Sequence, residues 1–169
     1  VAAATVEDAP LLAELGARTF RDAFAADNSA EDMERYLAEN FTVEKVRGEL
    51  ADPRAQFLIA RDGDGAAVGY AKLLAGEAEP CVTSPAPVEL VRLYAVKERH
   101  GRGVGAVLMG ACLRTAAAMG GKTLWLGVWE HNHRARAFYE RWGFRAVGSH
   151  VFVLGDDRQT DIIMERPAG

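Results

Sequence analysis

Three glycines alternate through His100-Gly101-Arg102-Gly103-Val104-Gly105-Ala106, between an apolar, strand-like run at residues 90–96 and a helix-like run at residues 107–119. A strand that turns into a helix across such a segment brings bare main chain up to the helix start. Unsatisfied N–H groups and the positive end of the helix dipole converge there, with no Cβ in the way. That suits a phosphate, and Arg99, His100 and Arg102 set cationic groups beside it. Which phosphate-bearing ligand the turn serves depends on the elements around it.

Before the turn, Leu11, Leu12, Leu15, Phe20 and Phe24 recur at helical spacing after Asp8 and Pro10, which predicts an amphipathic helix within residues 6–24. Asn28-Ser29 caps a second helix at residues 31–39, and residues 42–50 add a short third one before the breaker Asp52-Pro53. Residues 57–60 and 67–74 are strand-like about the turn Asp62-Gly63-Asp64-Gly65, a β-hairpin. Residues 76–87 carry three prolines, Cys81 and two acids and read as a surface loop and part of a substrate rim. Residues 88–96 are too apolar to be solvated on both faces and predict a central strand.

After the turn, Val104, Val107, Leu108, Ala111, Cys112 and Met119 line one helix face, closed by Gly120-Gly121. A strand at residues 123–129 follows. Asn132 then caps a helix carrying Ala135, Phe138, Tyr139 and Trp142, and strands at residues 145–154 and 159–164 flank Gly155-Asp156-Asp157.

Gly101-x-Gly103-x-x-Ala106 also satisfies a relaxed dinucleotide fingerprint, with Glu130 at the end of the next strand. Against a dinucleotide, only 39 residues follow Glu130, too few to complete a doubly wound sheet. A P-loop is excluded because no Gly-Lys-Ser or Gly-Lys-Thr follows the glycines. A purely structural tight turn is the remaining alternative.

The order helix, helix, hairpin, central strand, Gly-x-Gly-x-Gly loop, helix, strand, then Asn132-x-x-Ala135-x-x-Phe138-Tyr139-x-x-x-Gly143-Phe144, resembles the GCN5-related N-acetyltransferases across nearly the whole chain. Thr19-Phe20-x-Asp22-x-Phe24, Asn28-Ser29, residues 125–130 and Gly155-Asp156-Asp157-x-Gln159-Thr160-Asp161 further resemble the PaiA-type bacterial spermidine/spermine N-acetyltransferases. The resemblance implies one domain over residues 1–169, an α/β fold with a mixed, mostly antiparallel sheet of six to seven strands flanked by helices, and splayed central strands. It implies acetyl-CoA as co-substrate, its pyrophosphate on the amides of Arg102, Gly103, Val104, Gly105 and Ala106. Main chain at Tyr94, Ala95 and Val96 would pair with the pantetheine arm like an added strand. The family's loop starts with Gln or Arg where this chain has His100, so His100 itself is not counted as a contact. Tyr139 matches the family's general acid beside the departing sulfur, and a homodimer is in keeping with the family.

Acetyl transfer to an amine needs a neutral nitrogen, whereas a primary ammonium with a pKa near ~10 is only about a thousandth neutral at pH 7. Glu89, an acid in an otherwise apolar strand, is the first candidate to accept the proton, directly or through water. The competing reading pairs Glu89 with Arg92 or turns it to solvent, and Asp161, Glu77 and Glu130 stand in reserve. Main-chain N–H groups near Tyr94 would polarise the thioester carbonyl. Asn132 is both a helix cap and a candidate pantetheine ligand, and Arg141 a candidate partner of the adenosine phosphates. His131, His133 and His150 show no partner pattern, and Cys112 reads as core.

A net charge of −4 with a pI near 5.6 argues against direct nucleic-acid binding. No stretch reaches the ~20 apolar residues of a membrane span, and no charged-then-apolar leader is read at the start, where Val1 stands in place of an initiating Met. Cys81 and Cys112 share no metal spacing with each other or with the histidines, so no metal and a reduced, cytoplasmic setting are expected. The function that follows is acetyl-CoA-dependent N-acetylation of a small-molecule amine, most naturally a polyamine such as spermidine or spermine. The alternatives are a non-catalytic acetyl-CoA-binding module, or an enzyme for an aminoglycoside, an amino acid or a protein N-terminus.

Overall fold

Runs of β-branched and aromatic residues broken by Gly, Pro and Asp turns produce seven strands, all joined in one sheet, in a computed structural model that describes residues 1–169. They are β1 (Ala2–Ala3), β2 (Ala55–Arg61), β3 (Ala67–Ala75), β4 (Pro87–Ala95), β5 (Thr123–Trp129), β6 (Arg145–Leu154) and β7 (Asp157–Pro167), in the spatial order β1-β2-β3-β4-β5-β7-β6. Only β4 and β5 run parallel, as their connection through a helix requires. The other neighbours are antiparallel, so the mixed, mostly antiparallel sheet expected from the sequence is what forms.

Helices α1 (Ala9–Phe24), α2 (Ala30–Asn40), α3 (Val43–Ala51), α4 (Val104–Ala118) and α5 (His133–Arg141) cover the two faces. Their starts are set locally. Ser29 Oγ accepts from Asp32 N–H, Thr42 Oγ1 from Lys45 N–H and Asn132 Oδ1 from Ala135 N–H, each at 3.1 Å, satisfying donors that the first turn leaves free. Consecutive residues of β3 show how the layers divide. A Cβ on Gly69 would stand 3.0 Å from Leu108 on α4, while the Tyr70 hydroxyl, on the opposite face, lies 3.1 Å from the position of a Cβ on Gly16 in α1. The main core fills both sides, with Leu12, Leu15 and Tyr70 under α1 and Leu108, Met109, Cys112 and Leu124 under α4.

Several elements differ from their expected limits. Helix α4 starts at Val104 rather than at residue 107, because Gly103 ends the turn in a left-handed conformation and the helix begins at once. Val107 is 57% exposed and does not belong to the buried face, which Met109 and Ala116 complete. Strand β7 extends to Pro167 because β5 and β6 pair with it on both sides, and the two-residue β1 is too short to carry a sequence signal.

Inside the α1–α3 face lies a charged group that the sequence hides. Glu49 on α3 accepts from Arg92 on β4 at 2.8 Å and lies 3.0 Å from Lys72 Nζ on β3, all three largely buried. Arg92 is therefore not the partner of Glu89. Burial pushes the Glu49 carboxyl up, but Arg92 and Lys72 outweigh it and hold the group below its usual value. Because the folded-state value is depressed, the stabilisation is present above the usual carboxylate range and is lost as pH falls through the folded value. E49Q leaves two buried cations short of their partner and is expected to lower stability by about 3–5 kcal/mol, read as a lower urea midpoint at neutral pH, with the gap to wild type closing as the medium is acidified.

Candidate active site

Strands β4 and β5 touch only at Pro87–Thr123, Val88–Leu124 and Glu89–Trp125, and then part. Each is held by its other neighbour. β4 follows β3 as far as Ala95, and β5 follows β7 along its whole length. Opposite β3 the register jumps from Leu73–Leu90 to Lys72–Arg92, so Val91 is the extra residue of a bulge that bends β4 away from β5. The parting leaves a cleft with exposed main chain on its β4 wall.

Alternation of the ladder decides which groups face the cleft. Val96 N–H donates to Val68 O at 2.9 Å, so residues opposed at this register bond into β3, and Tyr94 opposite Tyr70 does the same. Val96 O accepts from Arg99 N–H. Of the three residues expected to line the pantetheine arm, Tyr94 and Val96 thus have their N–H groups occupied. The N–H groups of Leu93 and Ala95 point toward the cleft, and Leu93 is the residue the sequence reading missed. The same alternation moves the amide that would polarise a thioester carbonyl off Tyr94.

At the cleft's mouth the glycine turn is built as expected, with a change of donors. Gly101 and Gly103 adopt φ of +75° and +84°. Gly103, Val104, Gly105 and Ala106 donate no hydrogen bond within the protein, whereas Arg102 N–H is taken by Arg99 O at 3.2 Å. Four consecutive free amides at the start of a fifteen-residue helix make the anion cradle, and the Arg102 amide is not among them. The basic side chains are also redistributed. Arg99 bonds Asp62 in the β2–β3 turn at 2.6 Å. Arg134 on α5 lies 2.9 Å from His100 Nδ1, and His100 Nε2 lies 2.9 Å from Ala95 O. Because Arg134 can only donate and a carbonyl oxygen only accept, His100 Nδ1 accepts from Arg134 and Nε2 donates to Ala95 O. It braces the turn against β4 and α5, which leaves the Arg102 side chain exposed and free beside the cradle.

Helix α5 brings Tyr139 to the cleft from the α4 side. Its ring packs on Phe138 and Phe144, with centroids 5.5 and 5.6 Å away. Burial, with Cys112 adding to it, pushes its phenol well above the ordinary tyrosine value, so the group stays protonated. Burial likewise pushes the Cys112 thiol up to about 12, in keeping with a core role. Asn132 caps α5 through Oδ1, while its Nδ2 makes no bond within the protein and remains free for a ligand. Arg141 is exposed at the end of α5 and pairs with no acid.

Across the cleft, on the α1–α3 face, acids gather. Glu89 stands at the last β4–β5 pair, and burial raises its carboxyl above the usual range although Lys72 and His150 pull it back. Asp161 on β7 is raised by burial as well, opposed by His150. His150 on β6 lies 2.7 Å from Glu79 through Nδ1 and 3.7 Å from Asp161 through Nε2. Phe24, Tyr36 and Trp129 stand on the same side, Phe24 and Trp129 with ring centroids 6.4 Å apart. Glu77 and Glu130 are not in this cluster.

Parted parallel strands, a free-amide cradle at the following helix and a half-buried tyrosine on the next helix form one arrangement. Residues 17–144 match the model of the Acetyltransferase (GNAT) family, and the chain belongs to that family. It is 38% identical over 160 residues to the "Uncharacterized N-acetyltransferase in pepI 3'region" of Lactobacillus delbrueckii subsp. lactis, covering 95% of this chain and 92% of that one. Identity is also 38% over 159 residues to an uncharacterized N-acetyltransferase of Mycobacterium tuberculosis, covering 94% of this chain and 97% of that one. Among solved structures, the PaiA N-acetyltransferase of Thermoplasma acidophilum in complex with coenzyme A superposes with a TM-score of 0.75 at 23% identity, over 97% of this chain and 95% of that one. The protein is an acetyl-CoA-dependent N-acetyltransferase.

Gly103 tests the cradle, since nothing stands within 4 Å of where its Cβ would be and only its left-handed backbone resists a side chain. G103A is expected to lower stability by about 1–2 kcal/mol and to weaken coenzyme A binding at least tenfold by calorimetry, because relief of that strain turns the following amides away.

Proposed function

We propose that this enzyme acetylates a primary amine of a polycationic small molecule, a polyamine such as spermidine or spermine being the substrate the site fits best. The observation that carries this reading is the set of Glu79, Glu89 and Asp161 on the acceptor side of the cleft, gathered about His150. Carboxylates in a partly desolvated site attract ammonium groups, and several of them suit a ligand with several positive charges. The rings of Phe24, Tyr36 and Trp129 offer faces to methylene stems and to a cation. Resemblance to PaiA-type enzymes supports the same substrate class, the enzyme working in the cytoplasm on a small amine.

The residues present fit coenzyme A. The amides of Gly103, Val104, Gly105 and Ala106 would hold its diphosphate, with the Arg102 side chain alongside, and Ala95 would pair with the arm while Asn132 Nδ2 reaches it from α5. Acetyl-CoA supplies the acyl group and a sulfur leaving group. Tyr139, kept protonated by burial, donates its O–H to the sulfur as charge develops there. The Leu93 N–H, nearer the point where the strands part and fixed in the ladder, would polarise the acyl oxygen without reorganising. Glu89 and Asp161 position the ammonium on the opposite face.

The test is thiol release with spermidine, spermine and a panel of other amines, comparing wild type with Y139F. Polyamines are expected to give the highest kcat/KM, and Y139F to lose about 10²-fold in kcat with coenzyme A binding unchanged. Absence of amine-dependent release across the panel would leave a coenzyme-binding module instead.

A further inference from the structure

Resting on the reading of an ammonium bound at the acidic face, we infer that His150, oriented by Glu79, is the group that takes the proton from the substrate nitrogen. Glu89 and Asp161 hold the ammonium and do not deprotonate it.

The geometry separates the two jobs. His150 Nδ1 lies 2.7 Å from Glu79 Oε1, a contact in which Nδ1 donates its proton to the carboxylate, which leaves Nε2 as the nitrogen turned toward the acceptor side. Nε2 faces Asp161 Oδ2 at 3.7 Å, too far for a hydrogen bond and close enough for both atoms to contact one nitrogen. In the β6–β7 ladder His150 is paired with Asp161, and Asp161 in turn with Trp129 of β5, so the imidazole stands on the acceptor face of the splayed strands. Phe152 and Leu154 lie on the same face of β6, toward α2, whereas Val151 and Val153 point out to solvent.

Glu79 comes from the connection between β3 and β4, which lies across the outer strands and is fastened there. Ser84 Oγ donates to Glu165 on β7 at 3.1 Å, and Val82 packs on Trp125 and Ile163. Cys81 sits so close to Gly148 on β6 that a Cβ there would come within 2.6 Å of its sulfur. The charged groups facing the imidazole are thus Glu79 from that connection, Asp161 from β7 and Glu89 from β4, while Lys72 of β3 acts on Glu89 and Tyr36 of α2 faces Asp161.

The chemistry favours this division. A carboxylate that binds an ammonium stabilises its charge and holds the nitrogen in the unreactive form. A neutral imidazole accepts a proton without adding negative charge to the site. One N–H bond of the ammonium breaks, its proton passing to His150 Nε2 and its electron pair remaining on nitrogen to form the new N–C bond. As the C–S bond breaks, its electron pair leaves with the sulfur, which takes the Tyr139 proton. The second N–H proton lost from nitrogen balances that donation, and the proton on His150 passes to solvent.

The experiment measures kcat, KM for spermidine and the full pH profile of kcat/KM for wild type, H150Q, E79Q and D161N, with thermal melts and coenzyme A calorimetry to establish folding. H150Q is expected to lose about 10²–10⁴-fold in kcat at neutral pH with little change in KM, and to have the rising limb expected of wild type displaced into alkali, where the amine sheds its proton unaided and the two approach each other. E79Q is expected to lose about 10–100-fold in kcat and to displace the same limb, and D161N to raise KM for spermidine. Wild-type turnover with an unaltered limb in H150Q overturns the assignment and leaves the proposed function standing, since the amine is still acetylated. A wild type that turns over no amine removes that function itself. If H150Q does not fold, E79Q decides, and an unchanged profile there overturns the inference.

Discussion

The parting of β4 and β5 is the constraint on which the rest depends. A parallel pair with free choice would zip along its full length, since each further residue pairs a donor and an acceptor. Here zipping stops after Glu89 and Trp125 because each strand is already committed elsewhere, β4 to β3 and β5 to β7, and because the Val91 bulge bends β4 outward. Main-chain groups left exposed inside a sheet are costly unless something pairs with them. A ligand able to run as an extra strand is thus built into the topology, and Tyr139, from the helix that follows β5, comes to the gap from the α4 side.

A second consequence concerns how the cradle is kept open. Cations beside a phosphate site are expected to point at the phosphate, yet two of the three flanking this turn are spent on the protein. Arg99 ties it to Asp62 of the β2–β3 turn, and His100, pinned by Arg134, ties it to Ala95 O. These bonds hold four amides in place at the start of α4, so the grip comes from fixed dipoles. His100, held between Arg134 and Ala95 O, thus serves as a brace.

The sequence exposes features whose causes are local. The glycine turn, the Asn132 cap, the β2–β3 hairpin and the apolar central strand each announce themselves within a few residues, and all form as read. What depends on register was not legible. Whether Tyr94 or Leu93 turns its N–H to the cleft is settled by the phase of a ladder, which one bulge shifts. Glu49 and Arg92 lie 43 residues apart, and Glu79 and His150 lie 71 apart, with nothing between them to suggest a meeting. Val107 shows the same limit from the other side, an apolar residue at helical spacing that the packing leaves in solvent.

Charge arrangement on the two faces of the sheet completes the logic. Arg92 and Lys72, which would oppose a cationic substrate, share the one carboxylate of Glu49 beneath α3, so their field is partly offset before it reaches the acceptor side. Of Glu89 and Asp161 only Glu89 has a lysine, the distant Lys72, acting on it, and burial raises both carboxyls, which marks the energy stored in keeping them ionised there. The ammonium of the proposed substrate would relieve that energy. The same relief deepens the well in which the charged nitrogen sits, so the tighter the acids bind the amine, the more the reaction depends on a separate acceptor for its proton. A site that only bound polycations would gain nothing from an imidazole whose second nitrogen is already committed to a carboxylate. A site that must also discharge the nitrogen needs one, within reach of the atoms that hold the substrate.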